Sequence, residues 1–342
     1  MNKHEDFRQN DPAFPKHLKN QRGQVSIMVA LMTMVLVTFT ALSVDIGHVM
    51  IVRNQLQNAA DATALSGAAY LYPAVAGVPN WSQAQTQATS YLPKNSVEKV
   101  ALSQGTVITG YWNMTSATLK STNSTPGTGD VPAVKVTVSK SAGNNGGAVK
   151  LYFGSVFGYS TVNLSATAVA VVGSPSTVNA GDLFPIAMAQ GTYNSYWDST
   201  TNSPKINPLT GQPYIFNINS GPQGGWSTFL QQVNDSPSII NLLTNGNPTP
   251  LQIGQNVWLS TGVKADVYSH VAVNVNVIVA VVANSSPGTM QPIVAFAALH
   301  IILALGGSSK IVEVQFTNNL KIPDGIPGGP NYGVYTPPTL AK

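Results

Sequence analysis

The chain has 342 residues, 43% of them hydrophobic, yet only 9% are charged, against roughly 25% in ordinary soluble domains. The formal charge of +4 comes from Lys and Arg scattered singly, which argues against a nucleic-acid surface, and the absence of cysteine excludes disulfides, thiolate metal sites and a cysteine nucleophile. Ser, Thr, Asn, Gly and Pro take the place of charge, a composition that suits a loop-rich, β-rich domain outside the cytoplasm better than disorder.

Residues 1–21 are polar, carry Pro12 and Pro15, and show no apolar period, which reads as a short flexible arm. Residues 25–44 follow without a charge. At ~1.5 Å per residue, this run of about 20 residues spans ~30 Å, the hydrocarbon thickness of a bilayer. Lys16, Lys19 and Arg22 precede it and only Arg53 follows nearby, so the arm is expected inside the cytoplasm and everything after Asp45 outside. A cleaved signal peptide, with Ala41-Leu42-Ser43 as the cut site, is the alternative. The apolar run exceeds the ~7–15 residues of a signal peptide's core, which favours a retained anchor.

Helical spacing continues beyond the run. Ile46, Val49 or Met50, Leu56, Ala60, Ala64 and Gly67 recur at three- and four-residue steps, and no Pro intervenes until Pro73. The spacing predicts one helix over 22–70, its first half in a membrane and its second half outside. Small residues dominate the later apolar face, so it is expected to lie against a sheet or another helix. Asp45, where the helix leaves the bilayer, has two readings: a polar residue marking the membrane edge, or a partner for another subunit's helix. Asp45, Gly47, Leu56, Ala60, Ala64 and Gly67 are the candidate packing or partner contacts.

A short helix follows over 81–92, capped by Asn80 or Ser82 and stopped by Pro93, with Ala84, Ala88 and Tyr91 inward. Strands are expected over 106–114 and 133–139, a turn at 143–147, one or two helical turns within 151–157, and a long strand over 161–172. Residues 173–176 read as a linker. Beyond it come an apolar segment at 183–188, an exposed polar loop over 193–211 that contains Tyr196 and Trp197, and a short strand at 214–218. Helices are expected near 226–233 and from Asp235 or Ser236 to Leu243. Alternating valines over 271–281 and the apolar runs 293–305 and 311–316 are strands, the first two being too short for a second span. The tail from Pro323 reads as irregular. The chain is thus α+β: a cytoplasmic arm 1–22, an anchor and continuing helix 23–72, a first α+β module 73–173, a second β-rich module 174–322 and a tail 323–342.

The chemistry expected from these residues is sparse. Glu occurs at Glu5, Glu98 and Glu313 only, and of five histidines only His270 and His300 fall in the folded modules, His300 as a satisfied core residue. No HExxH, GxSxG or Walker-type loop occurs. No catalytic residue, metal ligand or cofactor is assigned, and the chain is not read as an enzyme.

Arg22-Gly23-Gln24-Val25, the apolar run, Val44-Asp45-Ile46-Gly47 and residues 56–68 together resemble the N-terminal domain of TadG-like proteins, the TadE/TadG group of the Tad (Flp) pilus-assembly system. The strand over 161–172 after Phe157-Gly158 is similar to one that often follows in that family. The resemblance implies a bacterial inner-membrane protein whose outer domain assembles or supports a pilus. Its implied partners are the lipid bilayer and other pilus-assembly or secretion proteins, with no oligomeric state assigned. The alternative is an envelope binding or adhesion module on the same anchor, with the loop at 193–197 as its surface. Two departures qualify the family picture. Asp198-Ser199-Thr200-Thr201-Asn202 lacks the Asp-x-Ser-x-Ser metal pattern of larger relatives. Cleavage after Gly23 would place Met28 where processed pseudopilins carry Glu, so the resemblance supports an assembly role over that of a cleaved pilin subunit.

Overall fold

The computed structural model describes residues 22–72, 78–127, 129–218, 221–262 and 265–341; the expected arm at 1–21 lies outside them. Helix α1, Arg22–Ala68, is 47 residues long and unbroken. In its first half, hydroxyl side chains are satisfied within the helix itself. The hydroxyls of Thr33, Thr38, Thr40 and Ser43 each donate to the carbonyl four residues back, at 2.8–2.9 Å. That bond satisfies a polar side chain inside an apolar helix. Helix α1 ends in a tightened turn, with Tyr70 N–H on Gly67 O and Leu71 N–H on Ala68 O. Helix α2, Trp81–Tyr91, is capped by the Asn80 side chain, which accepts from Gln83 N–H.

Both helices cover one face of a five-stranded antiparallel sheet. Strands β1 (Gly105–Asn113), β2 (Thr118–Lys120), β3 (Asp130–Lys140) and β4 (Leu164–Val171) lie in the order β4-β3-β1-β2. Alternation decides which side chains meet the helices. Val134, Val136 and Val138 of β3 and Ala166, Ala168 and Ala170 of β4 form one core with Val52, Leu56, Ala60 and Ala64 of α1 and with Ala84 and Ala88 of α2. Small residues on both surfaces let the helix approach closely, and Leu56 and Leu71, both 0% exposed, supply the bulk. Burying each stabilises the fold by ~2 kcal/mol.

The second sheet closes on itself. Its strands are β6 (Leu183–Ala189), β8 (Gly224–Phe229), β10 (Asn256–Leu259), β11 (Val275–Val282) and β12 (Met290–Leu305), joined in a ring in which β11 pairs with both β6 and β12. β13 (Ile311–Phe316) and β7 (Ile215–Asn217) extend from the far half of β12. Both faces of these strands are buried, which is why they read as continuous apolar runs. Val279, Val281, Ala295 and Ala297 enter one core cluster, and Ile278, Ala280, Phe296 and Ala298 the other.

Several sequence expectations require correction. Residues 173–176 are no linker: strand β5, Ser174–Val178, begins there and pairs with β9 (Leu251–Gln252) and with β14 (Ile326–Gly329). The tail is woven in. Besides β14, strand β15 (Thr339–Leu340) joins the edge of β4 in the first sheet, and Tyr335 stacks on Tyr72 just beyond α1. Its Pro and Gly content misled because edge and end strands tolerate both. Residues 224–229 form a strand where a helix was expected; Phe229, at φ 54, ends it. Strand β11 starts only at Val275, because Asn274 takes a left-handed conformation (φ 57) and residues Val267–His270 form a helical turn. His300 is half-buried rather than a core residue, its Nδ1 2.8 Å from Asn276 Oδ1.

Candidate functional site

The densest polar constellation sits where the apolar run of α1 ends. Asp45 is 6% exposed. Its carboxylate accepts from the backbone N–H of Tyr152 at 2.7 Å and of Phe153 at 3.1 Å. These donors belong to a hairpin whose stem pairs Val149–Lys150 with Thr161–Val162 and whose tip is a helical turn, Gly154–Phe157. Gly154 is required at that tip, since a Cβ there would lie 2.4 Å from Tyr159 O. Within the chain, Asp45 is held by the hairpin. Its partners are peptide groups 107 and 108 positions along the same chain, which no helical spacing could reveal.

One turn further, His48 Nε2 is 2.9 Å from Glu98 Oε1, and Lys140 Nζ donates to Glu98 Oε2 at 2.7 Å. Glu98 sits on the two-residue turn between Ser96–Val97 and Val100–Ala101, where Glu98 and Lys99 both have positive φ (50 and 65). Non-glycine residues tolerate such a turn only when the surroundings hold it. Here the Glu98 N–H donates to Gln55 Oε1 at 2.9 Å and the carboxylate is bound on both oxygens. Burial pushes the Glu98 carboxyl up, but the hydrogen bonds and charges of Lys140 and then His48 outweigh it and hold the group below the usual glutamate range. His48 also packs on the Tyr152 ring at 4.9 Å, while its Nδ1 is buried without a partner. Helix α1, the turn at Glu98, strand β3 and the hairpin are thereby tied together at one level of the helix. In the sequence, Glu98 stands out only as one of three glutamates, with no sign of its pairing with His48, Lys140 or Gln55. The local signal was Glu98-Lys99 between short apolar segments, too weak to mark a hairpin without glycine.

The other candidate contacts separate into two kinds. Leu56, Ala60 and Ala64 are 0% exposed and lie in the first core. Gly67 is a point of closest approach: a Cβ would meet Ala88 Cβ at 2.8 Å and Ala84 O at 2.9 Å. Gly47 has nothing within 4 Å of such a Cβ. Of the six, Gly47 alone faces no neighbour among the described residues.

A cleft of about 340 Å³ beside the first sheet, bordered by the loop at Asn202 and the tail, is lined by Tyr72, Tyr111, Asp130, Asn202 and Asn331 among others. Asp130 is engaged by Lys120 Nζ (2.6 Å), Gly127 N–H (2.7 Å) and Asn113 Nδ2 (2.8 Å). Among the described residues no three His, Asp or Glu side chains are grouped to hold a metal. Asp198 accepts from the N–H groups of Thr200 and Thr201 as a local turn.

The surface expected at 193–197 is part helix and keeps Asn194 and Ser195 exposed, but its aromatic side chains do not line it as expected. Residues Gln190–Tyr196 form helix α3, and Tyr193 and Trp197 are 5% and 2% exposed. Tyr193 stacks on Tyr332 with centroids 3.4 Å apart, and Trp197 meets Phe316 edge-on at 5.5 Å. The polar residues between them conceal this core in the sequence.

Two family models match the chain: that of the TadE/G-like Flp pilus-assembly proteins over residues 23–69, and that of a Tad-like Flp pilus-assembly domain over residues 66–170. Residues 23–170 are thus similar to the Tad pilus-assembly families. No curated protein and no solved structure matches the chain. The matched segment coincides with α1, α2 and the first sheet up to the end of β4, so the whole tie around Asp45 and Glu98 falls within it. The ring-shaped second sheet lies outside the matched residues.

Proposed function

We propose that this chain is a retained, single-pass anchor protein of the bacterial inner membrane that serves as a structural component in assembling a Tad (Flp) pilus or a related secretion apparatus. The arm at 1–22 lies in the cytoplasm, residues 23–72 form the anchor and its continuation, and the modules at 73–173 and 174–322 stand outside, with the tail bound across both. The observation that carries this reading is the contrast along α1, taken with the family match. Between residues 25 and 44 nearly every side chain is exposed, among them Leu31, Leu36 and Phe39 at 60–67%. From Val52 to Ala68 the same helix is the buried core of a folded domain. An exposed apolar surface of that length needs a bilayer around it, and the internally satisfied Thr and Ser hydroxyls suit such a solvent. The role is one of holding and positioning, without catalysis. Its partners are other pilus-assembly proteins, for which the unoccupied face at Gly47 is a contact point on the helix.

A clean deletion tests the assignment. Loss of surface pili, restored by the full chain but not by a chain lacking residues 25–44, supports it. Normal piliation in the deletion strain overturns it.

A further inference from the structure

We propose that the hairpin at 149–162 is a second membrane contact, with its aromatic tip seated in the outer interface of the bilayer beside α1. This rests on the anchor reading above and adds a membrane-binding element that the helix alone does not imply.

The argument begins with exposure. Tyr152, Phe153, Val156, Phe157 and Tyr159 are 65%, 43%, 79%, 51% and 71% exposed. Five large apolar or aromatic side chains within eight positions, with no charge anywhere from Leu151 to Val162, form a continuous patch on one small hairpin. Such a patch on a folded domain marks a contact surface.

Position identifies the occupant. Asp45 pins the hairpin at the end of the apolar run through Tyr152 and Phe153. Phe153 then reaches along the run itself, lining a shallow groove with Thr33, Leu36, Val37, Thr40 and Ala41. Ala41, at 8% exposed, is the one buried side chain among residues 25–44. With ~1.5 Å of rise per residue, Ala41 and Val37 lie ~6–12 Å from Asp45 toward the membrane, the depth at which interfacial elements seat their apolar faces. Tyrosine suits that layer, its ring in hydrocarbon and its hydroxyl reaching water, and phenylalanine buries its ring on the apolar side. The patch is also continuous with the bare apolar surface of α1. A lipid bilayer therefore covers both, and Asp45 fixes how deep the hairpin sits.

The absence of native cysteine allows a direct test on the full chain in vesicles of phosphatidylethanolamine and phosphatidylglycerol. Spin labels go singly on Leu36→Cys in the apolar run, Val156→Cys at the hairpin tip, and Thr200→Cys, which is exposed two positions from Asn202, a residue that shares a cleft with Tyr72 beyond the far end of α1. Collision with oxygen, which concentrates in lipid, is compared with collision with a water-soluble nickel chelate. Val156 is exposed, so its replacement disturbs no packing. The expected order of oxygen-to-nickel accessibility is Leu36 highest, Val156 intermediate and Thr200 lowest, with Val156 several-fold above Thr200. If Leu36 is in lipid and Val156 matches Thr200, the hairpin inference fails while the anchor stands. If Val156 is shielded from both reagents, protein covers the hairpin and the inference also fails. A water-accessible Leu36 would remove the anchor reading, and this inference with it.

Discussion

Replacing Glu98 by Gln isolates the ion cluster that ties α1 to the first module. Lys140 has 4% side-chain exposure and its ammonium lies 2.7 Å from Glu98 Oε2. Glutamine keeps the shape but removes the charge, leaving a buried ammonium without its counter-ion and His48 without its carboxylate. Breaking a fully buried pair costs ~3–5 kcal/mol. Glu98 is 28% exposed, so water and the amide oxygen recover part, and ~2–3 kcal/mol is the appropriate expectation. For an outer domain of this size that lowers Tm by ~5–10 °C, measured by tryptophan fluorescence on the full chain in detergent micelles. The double variant Glu98→Gln with Lys140→Met should recover much of the loss, because no buried charge is left unpaired. The sign with pH follows from the lowered Glu98 carboxyl. Its contribution is complete above the ordinary glutamate range and fades as pH falls through the lower folded value, so the parent should lose stability below about pH 4. The Gln variant should lack that component. A Gln variant melting within ~1 °C of the parent, with the same acid dependence, would refute the reasoning.

Other outcomes follow from the same packing. Gly67→Ala forces α1 and α2 apart and should cost ~1–3 kcal/mol, whereas Gly47→Ala meets nothing among the described residues and should stabilise the helix by ~0.5–1 kcal/mol; the pair is compared by denaturant unfolding. If Gly47→Ala or a bulkier Gly47→Leu folds normally but lowers piliation, the face at Gly47 is a contact for a partner. Asp45→Ala should leave α1 intact and raise amide exchange at Tyr152 and Phe153 by at least tenfold, since two charge-assisted bonds are lost. Trp197→Ala should destabilise by ~3–5 kcal/mol as a core deletion and leave no soluble ligand-binding defect to measure. Ending the chain before Thr339 should loosen the edge of β4 and lower stability by ~1–2 kcal/mol, read by exchange at Val169 and Val171.

What the sequence revealed follows from the range of the forces involved. Helix α1 was legible because its spacing is local and no proline interrupts it; the caps Asn80 and Asp235 and the valine alternation in β3 were legible for the same reason. Leu56, Ala60, Ala64 and Gly67 were recognisable as packing positions from their small size and period. The partners of Asp45 were not, since they come from a hairpin more than a hundred residues away. The Glu98–Lys140 pair and the burial of Trp197 likewise depend on tertiary contacts that leave no local pattern. The tail misled for a related reason. Strands of two to four residues have too few positions to show alternation, and their Pro and Gly content suggested irregular chain.

Substituted-cysteine labelling in spheroplasts tests the central claim most directly, with the cysteine-free parent as background. A membrane-impermeant maleimide added from outside should label Thr200→Cys at once and Lys16→Cys only after lysis, while Leu36→Cys stays unlabelled until the membrane is dissolved. Labelling of Lys16→Cys in intact spheroplasts, or of Leu36→Cys without detergent, would contradict a retained anchor with its arm in the cytoplasm and its folded modules outside.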